Sequence, residues 1–156
     1  MSKLNELVDR SIAVWNEPEA NRRRQGIAAL WAEDGAHFTP SLEARGYPAL
    51  EARVAGAHEK WVKAGGFVFR SVNNAEDHHN GVRFNWEMVP AAGGAAAAVG
   101  FDFLVLGDDG RIRLDYSSST GRRRPDSLAR YSPSHTVPPS WATSPARSSS
   151  AATPTW

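Results

Sequence analysis

The chain of 156 residues has no cysteine. Disulfide staples, thiolate metal sites and cysteine nucleophiles are therefore excluded, and the composition suits a reducing compartment. An excess of one charge is also missing. The 18 Lys and Arg residues against 17 Asp and Glu leave a formal charge of +1, too little to draw the molecule to nucleic acid or an anionic membrane. Long apolar runs are absent. The longest stretch of small apolar residues, Ala91 to Val99, is interrupted by glycines and far too short to span a bilayer. Met1 to Glu6 carry no signal-peptide run. There is no phosphate-binding glycine motif and no G-x-S-x-G nucleophile elbow. The adjacent His78 and His79 would point to opposite sides of an extended chain and lack a third ligand at usable spacing, so they read as a solvated turn rather than a metal site. These absences lead to the expectation of a cytoplasmic protein with no cofactor, no nucleic-acid partner and no membrane contact.

What is present divides unevenly. Residues 1–116 have the apolar content of one folded domain. Residues 117–156 are rich in Ser, Pro, Arg and Thr, with Asp126 the only acidic residue, and read as a disordered extension. Leu4, Leu7, Val8, Ser11, Ile12 and Trp15 recur at helical spacing and predict a first helix. A second runs from about Glu19 to Trp31. A third starts near Tyr47 and carries Leu50, Val54, Ala57, His58 and Trp61 on one side. Strands are predicted at residues 36–39, 67–72, 82–88, 99–106 and 111–116, the last two joined by the turn Asp108-Asp109-Gly110. Helices followed by an antiparallel meander give an α+β domain, with the helices packed on one face of a curved sheet.

Three stretches in this order carry a family resemblance. They are Leu30-Trp31-Ala32-Glu33-Asp34-Gly35-Ala36, Arg45-Gly46-Tyr47-Pro48-Ala49-Leu50, and Gly100-Phe101-Asp102-Phe103 followed by Gly107-Asp108-Asp109-Gly110-Arg111-Ile112. Together they resemble the nuclear-transport-factor-2-like superfamily and, within it, the small bacterial SnoaL-like proteins. The resemblance spans about 110 residues. It implies a cone-shaped, curved antiparallel sheet with three N-terminal helices packed on its concave face, and a pocket more firmly than a reaction. It stops at Tyr116, where such chains end the last strand with a run like Tyr-Gln-Phe-Ile and this one reads Tyr116-Ser117-Ser118-Ser119. The codons AGT TCA TCG for three serines, read one base earlier behind a C, spell Gln-Phe-Ile. A shifted reading frame and an ordinary tail are the two origins open for residues 117–156.

Asp102 lies within the run Val99 to Leu106, so its carboxylate must be hydrogen-bonded or driven neutral. A neutral acid in an apolar pocket can donate a hydrogen bond to a carbonyl or enolate oxygen. The resemblance implies that role, because ketosteroid isomerase carries such an acid on the matching strand; a structural Asp102 is the alternative. The isomerase's base would fall on Thr39 and its tyrosine on Ser11, neither of which can replace the original group. His37 shares the face of Thr39 and offers an imidazole base. Trp15, Trp31, His58, Trp61 and Trp86 are candidate pocket walls, the tryptophans being core packing in the other reading. Arg83, Asn85 and Asp102 match part of the limonene epoxide hydrolase set, which fails if Phe84, Trp86 and Met88 line the cone instead. An inward Asp102 leaves Phe101, Phe103 and Val105 on the outer sheet face, where related proteins dimerise.

The expected function is a pocket protein for a small apolar molecule, acting as a cofactor-free isomerase, cyclase or dehydratase through Asp102 and His37. The alternatives are a non-catalytic binding or dimerisation module and an epoxide-hydrolase-like enzyme.

Overall fold

The computed structural model describes residues 2–121; the proposed tail from residue 122 onward, with its question of reading frame, lies outside them. Ser2 caps the first helix, its hydroxyl accepting from the Asn5 amide at 3.2 Å. This helix, α1 (Lys3–Asn16), buries Val8 and Ile12. At its end the Asn16 side chain donates to the Phe69 carbonyl and accepts from the Phe69 amide, at 2.7 and 2.8 Å. That two-way clamp fixes α1 to the third strand. Helix α2 (Ala20–Leu30) buries Ile27 and Leu30. Trp31, expected at its end, is instead the first residue of strand β1 (Trp31–Thr39). A short hairpin strand the sequence did not suggest, β2 (Leu42–Arg45), follows. Gly46, at φ +77, turns the chain into α3 (Gly46–Ala57). The Tyr47 hydroxyl then donates to the Trp31 carbonyl at 2.9 Å, tying α3 to β1. A π-helical turn, His58–Lys63, continues α3.

The remaining strands are β3 (Phe67–Ser71), β4 (Glu76–His78), β5 (Gly81–Pro90), β6 (Ala98–Leu106) and β7 (Ile112–Gly121). His78, expected in a solvated turn, closes the short exposed strand β4; the turn itself falls on His79 at φ +54. The sheet runs β2-β1-β7-β6-β5-β3, with β4 also on β5. The α+β layout is as expected, but the sheet is mixed. β1 and β7 pair in parallel, and every other pair is antiparallel. A parallel neighbour needs a long crossover, and α3 with the whole meander supplies it.

β7 also runs five residues past Tyr116, the expected end of the strand. Ala98 to Asp102 of β6 present a row of backbone groups, and Ser117 to Gly121 pair with them one for one. The core lies between the helices and one sheet face: Val8, Ile12, Ile27, Leu50 and Val54 meet Val82, Phe84, Leu104 and Ile112. No helix among the described residues is long and apolar enough to cross a membrane.

Gly100 has no room for a side chain. A Cβ there would sit 2.0 Å from the indole of Trp86, on the paired strand β5. Gly100→Ala is therefore expected to push Trp86 off its position and to cost about 1–3 kcal/mol, read as a lowered midpoint in urea denaturation.

Candidate functional site

Beyond the core, the space between the helices and the sheet stays open as a cavity of about 340 Å³. β1, β5, β6 and β7 supply its sheet wall, through His37 and Thr39, Trp86 and Met88, Asp102, and Ser117 and Ser119. α1 contributes Ile12 and Trp15; α3 and the π turn contribute Arg53, Ala57 and Trp61. These last three are four residues apart. The wider π winding offsets the drift of that spacing around an α-helix, so Trp61 still faces inward. The lining is aromatic and apolar, with a few polar groups set into it.

His37 and Asp115 are register partners across the parallel β1–β7 pair. His37 Nδ1 lies 2.9 Å from Asp115 Oδ2, and both side chains are almost wholly buried. A carboxylate only accepts, so Nδ1 carries a proton toward Asp115, and in the neutral form of the ring the lone pair is on Nε2. Nε2 is buried with no hydrogen-bond partner. The ring is further held by Trp15, 5.2 Å away between centroids. An imidazole held in place by a carboxylate, on a residue that lines an apolar cavity, is a candidate general base.

Asp102 is buried and accepts from Trp86 Nε1 at 2.9 Å. Burial, then the charge of Asp115, push its pKa up to about 7; the Ser117 hydroxyl, the Trp86 indole and His37 act against the rise. Near neutral pH the cavity therefore holds a carboxyl group that can still donate a proton. Arg53 completes the polar set. Its guanidinium lies 5.3 Å from the Trp15 ring centroid, and burial lowers its pKa against the opposing pull of Asp115.

No protein-family model and no curated protein matches this chain. Solved structures do. One is a candidate isomerase of the SnoaL-like family from Agrobacterium tumefaciens, 26% identical, with a TM-score of 0.69 over 78% of this chain and 100% of that one. A second is a candidate polyketide cyclase from Sinorhizobium meliloti, 12% identical, TM-score 0.54, covering 72% and 93%. A nuclear-transport-factor-2-like protein with a cystatin-like fold from Novosphingobium aromaticivorans matches at 16% identity and TM-score 0.55, over 80% and 83%. The fold is nuclear-transport-factor-2-like, in its SnoaL-like form.

On this fold the structure brings together six of the residues singled out by sequence: Asp102, His37, Thr39, Trp15, Trp61 and Trp86 all line the one cavity. Two others do not join them. Trp31 is 1% exposed, at the centre of the core, because α2 stops at Leu30 and Trp31 opens β1, five residues before the strand expected at 36–39. His58 sits where α3 passes into π winding and faces α1. Its Nδ1 lies 3.1 Å from the Trp15 carbonyl, and it lines a separate cleft with Arg23 and Lys63. The epoxide-hydrolase set is not assembled. Arg83 is exposed and paired with Glu76, while Asn85 is bonded to Asn74 and the Gly100 carbonyl. Ser11, at the tyrosine position of the isomerase, is buried with its hydroxyl donating to the Val8 carbonyl at 2.7 Å. Sequence reasoning missed Asp115 and Arg53. The helical spacing Arg53–Ala57–Trp61 was a usable signal for the second.

The raised pKa of Asp102 has a consequence for stability. An unfolded chain releases this proton near 3.8, the folded one only near 7. Between those values the folded state binds more protons, so the contribution of Asp102 is full below pH about 4 and is lost as pH rises through about 7. The stability of wild type relative to Asp102→Asn is expected to fall by at most about 4 kcal/mol across that window, measured by denaturant titration of both proteins at several pH values.

Proposed function

We propose that the domain takes an apolar carbonyl compound into the cavity and moves a proton on it without a cofactor, as an isomerase, cyclase or dehydratase would. The observation that carries this reading is the buried, unpartnered Nε2 of His37, aligned by Asp115 on the wall of a cavity that also holds Asp102. His37 Nε2 removes the proton α to the carbonyl. Asp115 stays ionised and stabilises the imidazolium that forms. The developing enolate oxygen accepts a hydrogen bond from neutral Asp102, and the imidazolium returns its proton to carbon or to a leaving oxygen. Trp15, Trp61 and Trp86 hold the apolar body of the ligand, and Thr39 adds a hydroxyl. The SnoaL-like candidate isomerase at 26% identity supports the same class of chemistry.

The test is α-deuterium exchange of 2-tetralone in D₂O, followed by proton NMR, with tryptophan fluorescence reporting binding in parallel. Wild type is expected to accelerate exchange above the buffer rate. His37→Gln should lower the acceleration by about 100-fold or more, and Asp115→Asn should lower it too by releasing the tautomer. Binding with exchange at the buffer rate would make the domain a binding module.

The outer sheet face suits a second copy of the chain. Phe38 and Tyr116 stack there with centroids 4.9 Å apart, next to Phe103 in register, and Tyr116, Phe101 and Val99 are 49%, 38% and 40% exposed. Burying such a stripe is favourable at about 25 cal/mol per Å² of apolar surface. Sedimentation analysis is expected to find wild type as a dimer and Phe101→Lys as a folded monomer.

A further inference from the structure

Arg53 is the one cavity-lining cation for which the proton transfer above has no use. It projects from α3 into the cavity, among Trp15, Ala57 and Trp61. Its Nε is buried without a hydrogen-bond partner. No carboxylate among the described residues lies within ion-pair distance of it. Asp115, the acid whose charge it feels, is committed through Oδ2 to His37. Asp102, with its pKa near 7, is about half protonated at pH 7 and offers only a partial counter-charge. A guanidinium partly stripped of water is costly unless something pairs with it. Its other contact, the face of Trp15, leaves the donors at the edge of the fork free to meet a second group.

We propose that Arg53 is an anchor for an organic anion and that the ligand of this cavity is an apolar carbonyl compound bearing a carboxylate. The guanidinium fork accepts a carboxylate through two parallel hydrogen bonds, and the Trp15 ring, shared between Arg53 and His37, sets the reach from the anchor to the base. A cavity of about 340 Å³ holds a single ring with a short acid chain. The inference rests on the proton-transfer reading for the role of the carbonyl, and on Arg53 alone for the acid.

Calorimetric titration with 4-oxo-4-phenylbutanoate and with its neutral methyl ester tests it. Wild type is expected to bind the acid about tenfold or more tighter than the ester. Arg53→Met should lose the preference and bind both equally, and Arg53→Lys should recover part of the preference for the acid. Saturable ester binding also shows that the Met variant is folded. Equal binding of acid and ester by wild type overturns the anchor and leaves the pocket reading intact; so does a preference for the acid that survives in Arg53→Met. No binding of either compound overturns both. Binding of the acid with Arg53-dependent preference, but without α-deuterium exchange, upholds the anchor and sinks the proton transfer.

Discussion

The pairing of His37 with Asp115 depends on two strands lying side by side in the same direction. β1 comes early in the chain and β7 closes the described domain, so this contact joins residues 78 positions apart. Every element between them must be in place first: α3 to carry the chain over, and the meander to bring β7 back between β6 and β1. The site is in this sense a product of the whole fold. The helices then cover the pair, and burial strengthens the hydrogen bond between its members.

Burial sets the character of the other polar groups as well. Two carboxylates under one apolar roof cannot both stay ionised at no cost. Asp115 has the imidazole of His37 beside it, whereas Asp102 has an indole N–H and a hydroxyl, and burial carries its pKa up to about 7. In the proposed reaction one carboxylate positions the base and the other holds a proton. Gly100 belongs to the same arrangement. Its missing side chain makes space for Trp86, and Trp86 in turn orients Asp102.

Much of this was legible in the sequence. Helical spacing in α1 and α3, strict alternation in β5 and the turn after β6 led to the correct order of elements. Alternation also set Asp102 on the face opposite Phe101 and Phe103, and the spacing of His37 and Thr39 put both on one wall. The misses have physical causes. In β7, counting by twos from the buried Ile112 sends Leu114 inward and Asp115 outward. The register slips between Val105 and Leu106 of β6, and two residues of β7 stand opposite one step of its neighbour. That bulge reverses the parity, so Asp115 turns inward and Leu114 outward. A bulge has no signature in residue types alone. Ser117 to Gly121 looked like a tail because small polar residues have weak strand propensity; the open edge of β6 overrides it. Trp31 and His58 failed for a different reason: both sit at junctions where the winding changes, and the face presented there shifts.

The strand that completes the domain is also the strand that finishes the cavity wall. Ser117 and Ser119 line the cavity from this last stretch of β7, held by backbone pairing to β6, and the Ser117 hydroxyl also reaches Asp102. The ladder thus accepts almost any residue at those positions, while the chamber registers each one. Exchanging these few residues at the end of β7 would reshape the chamber without unpicking the ladder that frames it.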